Sequence, residues 1–553
     1  MRISSGIDFD VHGLYSMRTH PMSHNVVECS RIVNDGESVL KSKVKHLLQK
    51  RRPMTKEIRI VSSLCAITSL CFTLFLTACG GGASSTPTPA PSTAKEWTWM
   101  SGSSTTDAVG VYGTEGTAST SNVPGARGGS VGWTDSSGDL WLFGGWGIAT
   151  NSAAGATGEL NDLWEFNATE KTWTWVSGSD TASVYGGPVT LGVYGTQNVA
   201  SANNVPGPRD SAVSWMDSSG NLWLFGGTGY TSATTSGMFN DLWEFNSTSK
   251  EWTWVSGSNT TGAKGVYGML GTASTSNAPG ARGGSGGGAS VSWTDSSGNF
   301  WLFGGWGYDS TGTEGYLNDL WEFNATAKTW TWAGGSGTAN AVGVYGTQGV
   351  AAANNVPGAR SYSVGWTDSS GNFWLYGGEG NGPNGAVDFD LSDLWEFKPT
   401  TKEWTWVSGT TTGGVVPDYG TQGVASVSNT PGGRDSAVGW ADSSGNLWLI
   451  GGFDYDSASG ANGTNDYLND LWEFSPTTKE WTWVGGSDTG NATGVYGTLG
   501  TPSASNVPGA RGSQGVALTW TDSSGNFWLF GGDGYGASGT SDSLLNDLWR
   551  FQP

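Results

Sequence analysis

One phrase is written six times between Trp97 and Pro553. It runs Arg, a short apolar stretch ending in Trp, Asp-Ser-Ser-Gly, a second stretch closing on Gly-Gly, then Asp-Leu-Trp and Trp-Thr-Trp. Arg127, GGSVGWT, DSSGDLWLFGG ending at Gly145, NDLWEF at 161–166 and WTWV at 173–176 make the first copy. The Gly-Gly pairs end at Gly145, Gly227, Gly305, Gly378, Gly452 and Gly532, so copies follow one another at 82, 78, 73, 74 and 80 residues. A unit repeated at such intervals cannot bury its apolar faces alone and must stack on its neighbours, as in a propeller or an array.

Each unit reads as four strands. In LWLFGG, Leu140 and Leu142 alternate with Trp141 and Phe143, so both faces are apolar, as a sheet between two neighbouring sheets requires. The DSSG segment reads as a tight hairpin turn, and NATEKT and PTTKE are short connections of the same kind. Of 32 Trp, 30 fall at fixed places, five to a unit. Burying one such ring contributes roughly 4–6 kcal/mol as an upper bound, from about 150–250 Å² at about 25 cal/mol per Å². Disulfides and metals are therefore not needed to hold the units together.

These residues resemble the Kelch-repeat family, in which an Arg-led strand, a strand ending in Gly-Gly, a strand with an aromatic after Asp-Leu and a Trp-bearing strand make one blade. The resemblance spans 97–553 and implies an all-β, six-bladed kelch-type β-propeller. The units are longer than the roughly 50 residues usual for kelch. Their extra length lies in the connections from second to third and from fourth to first strand. The first Trp-Thr-Trp, Trp97-Thr98-Trp99, precedes any Arg strand, and NDLWRF at 546–551 has no Trp-Thr-Trp behind it. The N-terminal strand is therefore expected to join the last blade and cover its open edge.

The region before the repeats has another character. Its apolar run from Ile60 to Ala78 ends in Leu76-Thr77-Ala78-Cys79, which resembles the lipobox of bacterial lipoproteins. That implies a signal peptide at 54–78, cleavage before Cys79, lipidation of Cys79, and a flexible Gly/Ser/Thr/Pro tether through residue 96. An uncleaved membrane helix is the alternative for nineteen mostly apolar residues. Residues 1–53 read as an upstream extension with translation starting at Met54, or else as a basic cytoplasmic tail. Eleven of the 26 basic and 6 of the 47 acidic residues precede Cys79, leaving 15 minus 41, or −26. Such a body repels nucleic acid and anionic lipid heads, so attachment to a membrane is expected through acyl chains alone.

All four His (His12, His20, His24, His46) lie in that leader region, and no Cys follows Cys79. This excludes a Ser-His-Asp triad and a His-bearing zinc site in the repeats. Galactose oxidase shares the kelch-type propeller, but its copper site with His and a Cys-linked Tyr has no counterpart here. The resemblance therefore implies fold, not oxidase chemistry. The six arginines (Arg127, Arg209, Arg282, Arg360, Arg434, Arg511) are expected to pair with the six Asp of Asp-Leu-Trp rather than to bind an anion. The six GVYG-type segments read as structural clamps, with Pro417-Asp418-Tyr419-Gly420 as the departure.

Candidate ligand-binding residues are those that break the repeat. Trp146 and Trp306 follow Gly-Gly directly, and Tyr230, Tyr308, Phe453, Tyr455 and Tyr535 lie close to the same point of their units. All are expected at the start of the long loops, beside the carboxylates Asp309, Glu379, Asp454, Asp456 and Asp533. Aromatic platforms next to carboxylates suit sugar rings; packing within their own loops is the alternative. No cofactor and no catalytic residue are expected. Calcium is the only ion with a pattern, in Asp388-Phe389-Asp390 and Asp454-Tyr455-Asp456, and neither completes an EF-hand-type loop.

The functional expectation is a monomeric, lipid-anchored binding propeller on a bacterial envelope, at the outer membrane, engaging a glycan or a protein through its long-loop end. The alternatives are a carboxylate-dependent glycosidase or lyase, and a structural envelope spacer.

Overall fold

The computed structural model describes residues 95–150, 157–283, 289–385, 387–388, 390–454, 466–513, 516–539 and 542–553. The predicted Cys79, the segments before it and Tyr455 lie outside them. The described residues are all β, with no helix, in separate antiparallel sheets of which none closes on itself. The arrangement is propeller-like. Every repeat builds a sheet of four or five strands: in the third, Val291–Thr294, Phe300–Tyr308, Glu314–Asn324 and Thr329–Gly334 lie in that order. In the second and fourth repeats the ends of the strands detach into small three-stranded sheets.

The sixth sheet takes its outer strand from the start of the repeat region. Glu96–Ser101 runs antiparallel to Ser543–Gln552, with Trp97 opposite Phe551 and Trp99 opposite Trp549.

Neighbouring sheets meet through the alternation read in the sequence. Leu140 and Leu142 pack with Trp520, Trp528 and Phe530 of the sixth repeat, whereas Trp141 and Phe143 pack with Leu222, Leu224 and Trp243 of the second. The innermost strands are tied by indole hydrogen bonds: Trp133 Nε1 donates to Trp223 O, Trp215 to Trp301 O, Trp366 to Trp448 O and Trp440 to Trp528 O. Trp520 Nε1 of the sixth repeat donates to Trp141 O of the first, at 2.9 Å.

The repeated polar residues form one buried cluster per unit. Both Nη atoms of Arg127 grip Asp162, at 2.7 and 2.8 Å, and its Nε donates to Gly125 O. Tyr112 of the GVYG segment and Trp164 donate to the same carboxylate at 2.5 and 2.7 Å. This explains why Arg, Asp, Tyr and Trp recur together: an ion pair taken from water is stable only when its remaining lone pairs are satisfied. The departing segment fits less well. Tyr419 reaches Asp470 at 3.1 Å, and Arg434 Nε finds no partner among the described residues.

The Asp-Ser-Ser-Gly turns are built as expected. Asp135 Oδ1 accepts from the amides of Ser137 and Asp139, while Oδ2 accepts from Trp141 Nε1 at 3.0 Å. Lysines of the outer turns latch one unit to the previous one. Lys402 Nζ lies 5.7 Å over Trp301 and 3.4 Å from Glu322, and Lys95 stands in the same relation to Trp448 and Glu473.

In the first, third, fifth and sixth units the Gly-Gly pair does not end the second strand, which corrects the sequence reading; in the second and fourth the strand stops there as expected. Gly144 and Gly145 both take positive φ, 66° and 101°, and the register slips between Phe143 and Gly145. A Cβ on Gly144 would stand 2.7 Å from Arg209 O of the next unit. The pair is thus a bulge that admits the neighbouring Arg backbone, after which the strand continues to Gly147.

Candidate functional site

Where the strand continues past the bulge, Trp146, Trp306, Tyr308 and Phe453 sit on short strand extensions rather than on loops, and Tyr535 follows such an extension directly. Trp146 stands opposite Glu159 and is 38% exposed, the only Trp among the described residues with so open a surface. Trp306 lies opposite Tyr316 with its ring edge-on at 4.8 Å, and its Nε1 donates to Glu314 Oε1 at 2.8 Å. Tyr308 ends that strand opposite Glu314. This hairpin therefore holds its own aromatics, and Trp306 presents less surface than Trp146.

The other candidates divide. Tyr230 is only 6% exposed, so it offers little surface to a ligand, because its strand folds into the small sheet Thr228–Ser232 with Thr235–Met238. Phe453 and Tyr535 are brought together by Tyr467, whose ring lies 5.2 Å from the first and 5.8 Å from the second. The Tyr467 hydroxyl sits 2.9 Å from Asp533 Oδ2 and 3.0 Å from Asp542 Oδ2. The six described candidates thus form a half-buried hairpin (Trp306, Tyr308), an aromatic cluster (Phe453, Tyr535), one buried ring (Tyr230) and one open indole (Trp146), not a single platform.

Sequence reasoning missed Glu159, Asp210, Tyr316, Asp435 and Tyr467. Their signal was present: Glu159, Tyr316 and Tyr467 each stand three residues before the framework Asp, where no two adjacent units agree. Asp210 and Asp435 follow the framework Arg in the second and fifth units, where other units carry Gly or Ser. Tyr316 OH donates to Glu379 Oε1 of the next unit at 2.5 Å. The third unit's Asp309 folds its own loop, accepting from the amides of Thr311 and Thr313 and holding its carboxyl below the ordinary value despite burial.

Burial pushes the Asp435 carboxyl up to about 7; Ser436 opposes the shift, and Glu379 and Asp454 add to it. The folded chain thus holds a proton that the unfolded chain releases above its ordinary value of 3.8. This contribution to stability is complete below about pH 4 and is lost as pH rises to about 7. Asp435→Asn should flatten that decline. Urea unfolding at a series of pH values checks it; an unchanged pH slope would contradict the assignment.

At the opposite, short-turn end Asp135, Asp139 and Glu165 place carboxylate oxygens within 4.8 Å of one another and could hold a metal ion. In the second, third and fifth units an Asn in place of Asp139 donates to both carboxylates, as Asn299 does to Asp295 and Glu322. In the first unit Lys250 already brings a positive charge, 3.9 Å from Glu165.

No protein-family model and no curated protein matches the chain. Among solved structures, one titled "Structure of YjhT" is similar, at 15% identity and a TM-score of 0.43, over 77% of this chain and 95% of that one.

Proposed function

We propose that the chain is a lipid-anchored bacterial envelope protein whose body, a six-bladed kelch-type propeller closed by its N-terminal strand, binds a glycan or an envelope protein through its long-loop end. Closure is supported by the Trp520–Trp141 hydrogen bond and by the pairing of Trp97 with Phe551. The observation that carries the binding reading is the contrast between units. Six buried Arg–Asp pairs are the same. The residue just after Gly-Gly is different nearly every time: Trp146, Thr228, Trp306, Glu379, Phe453 and Asp533. A constant scaffold with variable residues at one end is how loops positioned by a rigid fold acquire recognition. The open indole of Trp146 offers a sugar an apolar face on which to stack. This reading calls for no cofactor.

Anchoring rests on Leu76-Thr77-Ala78-Cys79, with the outer membrane as the expected site. Cys79→Ala should abolish lipid labelling and release the protein from the membrane fraction; unchanged label and fractionation would remove the anchor from the proposal. Ligand binding is tested by presenting residues 80–553 to glycan arrays and to envelope extracts. Specific capture is expected. Turnover of a sugar would replace binding by catalysis, and no capture at all would leave a spacer.

A further inference from the structure

Glu159 and Asp210 meet where the first unit packs on the second. A Cβ on Gly144 would lie 2.7 Å from Arg209 O and 2.9 Å from Leu160 O, which sets the segments carrying the two acids beside one another. Glu159 is 3% and Asp210 6% exposed. Asp210 lies opposite Thr228, which is 5% exposed, in an antiparallel pair, so their side chains share one side of the small sheet. Among the described residues Glu159 Oε2, Asp210 Oδ1 and Thr228 Oγ1 have no hydrogen-bond partner. The nearby guanidinium of Arg209 is committed to Asp241 at 2.7 and 2.9 Å, and Ser211 reaches only the other oxygen of Asp210.

Three buried oxygens, two of them acidic, are therefore left without a hydrogen-bond partner at this junction. Leaving such groups unpaired is costly, and a cation or a proton relieves it. We propose that Glu159, Asp210 and Thr228 are ligands of a calcium ion lodged between the first and second units. Calcium accepts carboxylate, hydroxyl and carbonyl oxygens in irregular geometry, whereas magnesium demands near-octahedral geometry and gives up its waters reluctantly. Burial raises both carboxyls in the ion-free chain, the charge of Asp210 adding to the rise at Glu159, and an ion would reverse that. This site does not depend on the lipid anchor or on the long-loop ligand.

The test compares the full chain with its Glu159→Gln/Asp210→Asn and Asp139→Asn variants, each stripped with EGTA and titrated with calcium chloride. Wild type should take up calcium stoichiometrically, and its Tm should climb with calcium concentration. The double variant should lose both responses while melting above EGTA-treated wild type, since two buried charges are gone; Asp139→Asn should keep both. A wild-type Tm indifferent to calcium would overturn the site. So would loss of the response in Asp139→Asn alone, which moves the ion to the Asp135 group. A wild type that is stabilised only by acid, with no calcium uptake, would show that a proton fills the place.

Discussion

Removal of residues 95–101 should cost more stability than any single substitution in the repeats. Trp97 is 5% exposed, with Phe551 at 4.9 Å and Trp440 and Trp549 at 6.3 and 6.4 Å, and Trp99 stands edge-on to Tyr496 at 5.2 Å. Losing a buried Trp side chain costs about 3–5 kcal/mol. Two rings, the ladder to Ser543–Gln552 and the Lys95 latch go together, and the exposed strand invites pairing with another chain. The expected result is a much lower Tm and association in light scattering. A peptide of residues 95–101 should restore part of the Tm. A truncated chain that melts as wild type and stays monomeric would contradict the role given to this strand.

Asp319→Ala should have the second-largest effect. Asp319 accepts from both Nη atoms of Arg282, at 2.9 and 2.8 Å, from Tyr267 at 2.6 Å and from Trp321 at 2.7 Å, and it is wholly buried. Its loss strands a guanidinium in the core, which costs about 3–5 kcal/mol. Arg282→Met/Asp319→Leu, which removes both charges, should recover much of that loss. Urea unfolding of the three proteins decides. If the single variant loses less than about 1 kcal/mol, or the double variant is the less stable, the cluster is not held by charge pairing.

The parts of the molecule legible in the sequence are those the repeat enforces. Arg127 with Asp162, Tyr112 as a clamp and Asp135 as a turn former could be read because each recurs at a fixed offset and answers one physical need. The long-loop end was harder. Gly144 and Gly145 look like the end of a strand, but paired positive φ makes them a bulge, which carries Trp146 and Trp306 onto strand extensions. Trp306 then engages Tyr316 and Glu314 of its own hairpin, contacts that depend on a register no spacing announces. Glu159 and Asp210 are far apart in sequence and meet only through the packing of two units. Tyr230 looked exposed because it follows a Gly-Gly, yet its strand folds back and buries it.

The central claim is that the repeated residues fold the protein and the irregular ones work. Its most direct test is calorimetric binding and thermal unfolding of Trp146→Ala/Trp306→Ala beside Trp141→Ala, with a ligand found by the array screen. Trp141 is 1% exposed within the framework, and its truncation should destabilise by about 3–5 kcal/mol. The double variant should unfold close to wild type yet bind at least about tenfold more weakly, since a stacked ring is worth on the order of 1–3 kcal/mol and about 1.4 kcal/mol is a factor of ten. A double variant that unfolds early, or that keeps full affinity, would make these two Trp packing residues and contradict the account.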